Sequence, residues 1–327
     1  MPVEAISKPE RRIEPVQRHR NPPDDEEPAV TAPLVESREM EIDERHERRE
    51  KERHPKPAFR LGDEGRPDHS IQSYPLAPER RYSSGVPLEF LAVGHVTIDT
   101  INGRHRIGGS AVYAALTARH LGLTSGIVTS AGADFPFWNT LSGIETHSIA
   151  AKATTTFEND YAEGTRHQRV LALAAPICAH HLSGIQLTAD AAVFYCPAVH
   201  EIEAPLIRLA PRGICGVAPQ GFFRQWDDTG AVSIREWDEA SSALSRADFV
   251  CMSEEDAFVP EELAEEFSGR ALVITRAERG CRVYTGADTY DFPAAPADAI
   301  DPTGAGDVFA SKVAAKAVAS EGIAWLL

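Results

Sequence analysis

The sequence predicts an α/β fold: a three-layer, doubly wound, mostly parallel sheet, preceded by a disordered tail. Three observations carry this. From Leu88 onward short β-branched runs alternate with helix-length segments, and strands joined that way form a parallel sheet covered on both faces. Composition changes abruptly near residue 85. A Gly-Ala-Gly turn at residues 304–306 opens a run of helix formers, Val308 to Ala319.

The tail comes first. Residues 1–85 hold 12 of the 23 prolines and mix 19 acidic with 16 basic side chains, their aliphatic residues scattered without period. Such a segment buries too little apolar surface to fold alone. Inside it, Ser37 to Arg53 has Glu and Arg at three- and four-residue spacing but no apolar stripe, the pattern of a solvated helix rather than a partner-binding face. Residues 86–327 are then expected to form one domain, and a chain of 327 residues with 43% hydrophobic side chains suffices for a large core.

Residues 86–327 carry 30 acidic and 17 basic side chains, a formal charge near −13, which argues against nucleic acid as a partner. A small phosphate ligand stays compatible, because local amides and a bound cation override the global field within a pocket. The five cysteines are far apart, with no Cys-x-x-Cys pair and no histidines at zinc spacing, so they read as buried thiols in a reducing compartment. His180-His181 reads as surface. No signal peptide opens the chain and no apolar run approaches about 20 residues; the expected location is cytoplasmic, without membrane contact.

The first strand is Phe90-Leu91-Ala92-Val93-Gly94, followed by His95-Val96-Thr97-Ile98-Asp99. Further strands are expected at 126–130, 191–195, 213–218, 249–252 and 272–275, and helices at 110–121, 237–245, 254–266 and after Asp307. Residues 154–169 alternate in two halves about Glu163-Gly164, as a β-hairpin does. Ala218 to Trp226 combines turn residues with aromatics and either lines a pocket or packs beneath a loop.

In an open parallel sheet ligands gather at the carboxyl ends of the strands, and Asp99, Ser253 and Thr275 all follow strands. The most informative segment is Asp301-Pro302-Thr303-Gly304-Ala305-Gly306-Asp307. Its two glycines permit a tight turn with exposed N–H groups, and the following helix adds the positive end of its dipole. A phosphate-sized group on the amides of Gly304, Ala305 and Gly306, beside a carboxylate able to take a proton from an alcohol, meets the needs of phosphoryl transfer. The same residues also suit a plain capped turn.

Asp-x-Thr-Gly-Ala-Gly-Asp is the signature of the ribokinase-like (PfkB) carbohydrate kinases, which this chain resembles from about Leu88 to its last residue. The resemblance implies ATP and Mg2+ as cofactors and a small sugar, polyol or nucleoside as substrate. It makes Asp307 the catalytic base and Gly304, Ala305 and Gly306 the anion hole, with Asp301 and Thr303 on the nucleotide side. It gives Asp99 to substrate hydroxyls; by itself Asp99 equally suits a turn before Asn102-Gly103. Gly108-Gly109 resembles the family's N-terminal glycine pair, beside the substrate, although Tyr113 stands where Asn is common.

Two motifs depart from the family pattern. Ser253 and Asp256 occupy the places of Asn and Glu in Asn-x-x-Glu, which acts on magnesium through its hydration shell; capping of a helix by Ser253 with Asp256 is the other reading. Thr275-Arg276-Ala277-Glu278-Arg279-Gly280 matches the Thr-x-Gly-x-x-Gly nucleotide loop except that Ala277 replaces glycine. It implies nucleotide contacts at Thr275, Ala277 and Gly280, with Arg276 or Arg279 facing phosphates or solvated. Nine positions between Asp99 and Gly108 look too few for an inserted pair of strands, so the lid is expected to be small; a homodimer is allowed, but not one built through the lid. The chain extends 20 residues past Asp307, short of the family's usual C-terminal helices, which keeps open a non-catalytic or truncated relative that binds a small molecule or a partner. A dinucleotide-dependent oxidoreductase is disfavoured, because no Gly-x-Gly-x-x-Gly follows the first strand.

Overall fold

A computed structural model describes residues 17–20, 80–82, 85–162, 165–207, 213–256, 260–286, 288–296 and 304–318. The strands in chain order are β1 (Gln17–Arg20), β2 (Arg80–Tyr82), β3 (Leu88–Val93), β4 (Thr97–Ile101), β5 (Arg104–Gly108), β6 (Ser125–Ala131), β7 (Glu145–Ala150), β8 (Thr155–Ala162), β9 (Thr165–Ala172), β10 (Leu187–Tyr195), β11 (Ile214–Val217), β12 (Arg224–Trp226), β13 (Val232–Ile234), β14 (Phe249–Ser253), β15 (Ala271–Thr275), β16 (Cys281–Thr285) and β17 (Asp288–Phe292). The helices are α1 (Ser110–His120), α2 (Ala204–Ile207), α3 (Ala240–Leu244), α4 (Pro260–Glu266) and α5 (Ala305–Val318).

Eleven strands form one sheet in the order β1-β17-β16-β15-β14-β11-β10-β3-β6-β7-β2. The seven from β15 to β7 run parallel, and the outer strands pair antiparallel. From β3 the chain winds to β6 and β7 on one side, then returns to β10 and proceeds through β11 and β14 to β15 on the other. The order therefore reverses between β3 and β10, the position where doubly wound sheets hold ligands.

The central strands are apolar on both faces, and each face has its own core. One joins Phe90, Phe194 and Phe249 to α1 and to Ala310 of α5; the other joins Val193, Tyr195 and Ile274 to Leu206, Leu244 and Leu263 of α2, α3 and α4. Helices on both faces give the expected three layers.

A second sheet, β5-β4-β8-β9, is the lid. It corrects the expectation that the stretch from Asp99 to Gly108 leaves no room for a strand pair: β4 and β5 form a hairpin that includes Asp99 itself. The turn needs only Asn102 and Gly103, both at positive φ, 51° and 71°, the backbone of a two-residue hairpin turn for which Asn-Gly is favoured. The second hairpin, β8–β9, lies where alternation placed it.

Two short pieces of the 1–85 segment are described, β1 and β2, each pairing at an edge of the main sheet; the Ser37–Arg53 helix expectation lies outside the described residues. The helix expected from Glu254 starts instead at Pro260. Proline suits a first helical position, where its missing N–H costs nothing. No helix among the described residues is long and apolar enough to cross a membrane.

Candidate active site

The carboxyl ends of β11, β14 and β15 converge on the first turn of α5. The cleft between them is lined by Ser110, Ala218, Gln220, Cys251, Met252, Ser253, Asp256, Thr275, Gly304, Gly306, Asp307 and Ala310. Its volume is about 160 Å³, enough for a phosphoryl group and its neighbours. Asp307, Gly304, Gly306, Ser253, Asp256 and Thr275 are thus brought together; Ala305 is exposed beside them.

Gly304 sets up the turn. Its φ is +77°, and its carbonyl accepts the N–H of Val308 at 2.9 Å, closing the first turn of α5. A helix leaves its first N–H groups without intrahelical acceptors, so the backbone of 305–307 presents donors where the dipole favours an anion. A Cβ at Gly304 would lie 2.7 Å from the ring of Tyr113, so the residue that departs from the family pattern packs against the glycine turn. Gly304→Ala is expected to destabilise the fold by about 1–2 kcal/mol through the left-handed backbone alone, with the ring contact adding to it. Thermal unfolding checks this, and an unchanged melting temperature would contradict the turn geometry.

Asp307 is half-buried in that first turn, and Ser311 Oγ donates to its carbonyl oxygen. The buried thiols of Cys251 and Cys196 register its charge. Burial pushes both up, and the carboxylate of Asp307 adds to the effect on each, with Asp256 contributing at Cys251 and Glu201 at Cys196.

Asp256 sits in a turn rather than at a helix N-terminus, correcting the sequence expectation. Its Oδ2 accepts the N–H of Ser253 at 2.8 Å and its Oδ1 accepts Gln220 Nε2 at 2.7 Å, while Ser253 Oγ accepts the N–H of Glu255 at 3.3 Å. A carboxylate has about four acceptor positions, so two remain for the water shell of a cation. The residues therefore fit magnesium held through water.

Thr275 closes the cleft at the end of β15, its hydroxyl donating to the carbonyl of Met252 at 3.3 Å. Ala277 and Gly280 lie further along the same loop and do not line the cleft. Ala277 has φ +48° and Gly280 +88°, so the position where the family has glycine does adopt the left-handed region. Ala277→Gly is expected to gain about 0.5–1 kcal/mol, the relieved strain less the added freedom of the unfolded chain. A melting temperature that falls or stays level would contradict this. Neither arginine of the loop points to a phosphate site: Arg276 pairs with Asp291, which also binds Arg282 at 2.9 Å, and Arg279 pairs with Glu254. The guanidinium of Arg282, seconded by Arg276, holds the Asp291 carboxyl below the usual carboxylate range.

Asp99, Gly108 and Gly109 lie outside this cleft. Asp99 is buried in β4 and accepts Thr97 Oγ1 at 2.9 Å. A Cβ at Gly108 would fall 2.4 Å from Asp99 Oδ2, and one at Gly109, where φ is +96°, would fall 2.2 Å from the carbonyl oxygen of His95. The two glycines thus make room for the Asp99 carboxylate and for the loop after β3. Asp301 and Thr303 lie outside the described residues.

Sequence reasoning missed Glu201, 3% exposed, at the switch between β3 and β10. Its carboxylate accepts the backbone N–H groups of His95, Ala198 and Val199 at 2.9, 2.8 and 2.8 Å, tying together the loops that leave both strands. His95 then reaches the lid: its Nε2 meets the carbonyl of Ala175 and its Nδ1 the hydroxyl of Thr155, each at 2.8 Å. Gln220 was also missed, although the loop that carries it was singled out. Its aromatic residues pack, Phe222 stacked on Trp237 at 4.4 Å, while Ala218 and Gln220 face the cleft.

Comparison with known proteins matches residues 230–324 to the pfkB family carbohydrate kinase model. The chain is 27% identical over 247 residues to a cytidine kinase of Thermococcus kodakarensis, covering 68% of this chain and 86% of that one. A pyrophosphate-dependent kinase in the ribokinase family, complexed with a pyrophosphate analogue and myo-inositol, superposes with a TM-score of 0.60 at 22% identity, over 70% of this chain and 87% of that one. An uncharacterized sugar kinase from Pyrococcus horikoshii in complex with ATP gives 0.57 at 15% identity, over 72% and 87%. The chain thus has the ribokinase-like fold, and its segment 230–324, which contains Asp307, is similar to the pfkB family of carbohydrate kinases.

Proposed function

We propose that the protein transfers a phosphoryl group from ATP to an alcohol group of a small sugar, an inositol-like polyol or a nucleoside. The observation that carries this reading is the cleft in which a carboxylate, Asp307, stands beside a glycine turn at the start of α5 and faces Asp256 and Thr275. Asp307 accepts the proton of the attacking hydroxyl, and the backbone N–H groups around Gly304, Ala305 and Gly306 stabilise charge on the group in transfer. Asp256 and Ser253 hold magnesium through water. When bound, the ion neutralises charge on the donor phosphates. Asp99 orients the acceptor by accepting from its hydroxyls, and Thr275, Ala277, Gly280, Asp301 and Thr303 serve the nucleotide.

Among the relatives one is a cytidine kinase, one is a pyrophosphate-dependent kinase complexed with myo-inositol, and one is complexed with ATP, which supports testing these acceptors and donors first. The test is a screen of cytidine, other nucleosides, myo-inositol and sugars with each donor in the presence of magnesium, following release of ADP or phosphate. Saturable turnover that depends on ATP and on one acceptor class supports the proposal. Turnover with pyrophosphate alone overturns the choice of donor, and no turnover with any pair overturns the activity.

A further inference from the structure

We propose a second metal site, for a thiophilic divalent ion such as zinc, built from Cys178, His180 and His181. It lies on the crossover that leaves β9 of the lid and enters β10, apart from the cleft. Sequence spacing made the histidines look like surface residues, yet the fold turns all three side chains to one place. The ligand atoms lie within 4.8 Å of one another, and the two imidazole rings are 3.8 Å apart. In a tetrahedral zinc site of ordinary bond lengths the ligand atoms are about 3.3–3.6 Å apart, so small side-chain rotations close the gap.

Three features point to a ligand set. Four of the five cysteines are buried, and Cys178 alone is partly open to solvent. Its sulfur accepts the backbone N–H of His181, a contact of the kind that orients metal ligands. His181 Nδ1 accepts the backbone N–H of Cys178 at 2.9 Å, which in a neutral ring puts the proton on Nε2 and the lone pair on Nδ1. That is the tautomer ligation through Nδ1 requires, the ion taking the place of the N–H.

The backbone beneath is fixed. Ile177 is fully buried, its N–H donates to the carbonyl of Glu201 at 2.7 Å, and it bridges to Ile202. One sulfur and two imidazole nitrogens suit zinc and exclude magnesium, which takes oxygen, so this ion is distinct from the one that serves the donor phosphates. Three protein ligands leave a fourth position to water, and the bound ion staples the crossover between lid and sheet.

The experiment titrates the full, chelator-treated chain with cobalt, a spectroscopic stand-in for zinc. The expected result is one thiolate-to-cobalt charge-transfer band at saturation, displaced by zinc, absent in Cys178→Ser, and weakened about tenfold or more in His180→Ala and in His181→Ala. Asp307→Asn retains the band, which separates this site from the kinase reading. Absence of the band in the native chain, or its survival in Cys178→Ser, overturns the proposal. A second measurement does not depend on any variant folding: zinc is expected to slow alkylation of Cys178 in the native protein, mapped by peptide, and an unaltered rate contradicts the site.

Discussion

Asp307→Asn is expected to lower turnover by about two to four orders of magnitude, the range attributed to a positioned general base, with nucleotide affinity largely retained. Asparagine has the shape of aspartate and accepts hydrogen bonds in the same place, but it cannot take a proton at neutral pH. The glycine turn and the start of α5 are backbone features, so the substitution leaves them in place. Loss confined to kcat, with an unchanged dissociation constant for ATP and magnesium by calorimetry, is the signature of a group that acts in the transition state. Near-normal turnover would remove Asp307 from the chemistry. Equal losses in affinity and turnover would assign it to binding instead.

Glu201→Ala is expected to cost about 3–5 kcal/mol of folding stability, because it strands three buried backbone donors in a region with little access to water. Each of the three N–H groups, from His95, Ala198 and Val199, has the carboxylate as its acceptor within 2.9 Å, and a buried donor left unmade costs about 1–3 kcal/mol. Glu201→Gln keeps one oxygen acceptor but turns an amide donor toward the remaining N–H groups, so it recovers only part of the loss. Urea unfolding of both variants checks the order: native above Gln, Gln above Ala. A cost below about 1 kcal/mol for the alanine variant would mean that solvent replaces the carboxylate, and that the junction between β3 and β10 does not depend on it.

Much of the sheet was legible because strands buried on both faces cannot be disguised. Phe90 to Val93, Ala191 to Tyr195 and Leu272 to Ile274 must be apolar at every position, and each of these runs is a strand. The edges were not legible, since an edge strand such as Gln17–Arg20 needs only backbone pairing and carries no apolar signature. The first lid hairpin was hidden for a related reason. Its strands are polar, and a two-residue turn at Asn102-Gly103 fits two strands into a segment that seems to hold one.

The cleft was partly legible. The glycine turn and Asp307 declare themselves through local backbone chemistry, and Ser253 and Thr275 through their places after strands. Asp256 was found, but the helix it was assigned to begins later, at Pro260; the proline was the available signal. Glu201 offered only an acid shortly after a strand, with Glu203 two residues on, and its role depends on His95, distant in sequence and joined to it by the neighbouring pairing of β3 with β10. The convergence of Cys178, His180 and His181 likewise needs the four-residue 3-10 turn, Ala179–Leu182, that only the folded chain displays.

The most direct test of the central claim is a crystal structure of the protein with ADP, magnesium and aluminium fluoride, which mimics a phosphoryl group in transfer. The fluoride plane is expected to lie on the backbone N–H groups at the glycine turn around Gly304 to Gly306, with the Asp307 carboxylate within hydrogen-bond reach of the acceptor position on its far side. Fluoride bound elsewhere, or an Asp307 carboxylate turned away from the bound group, would contradict it.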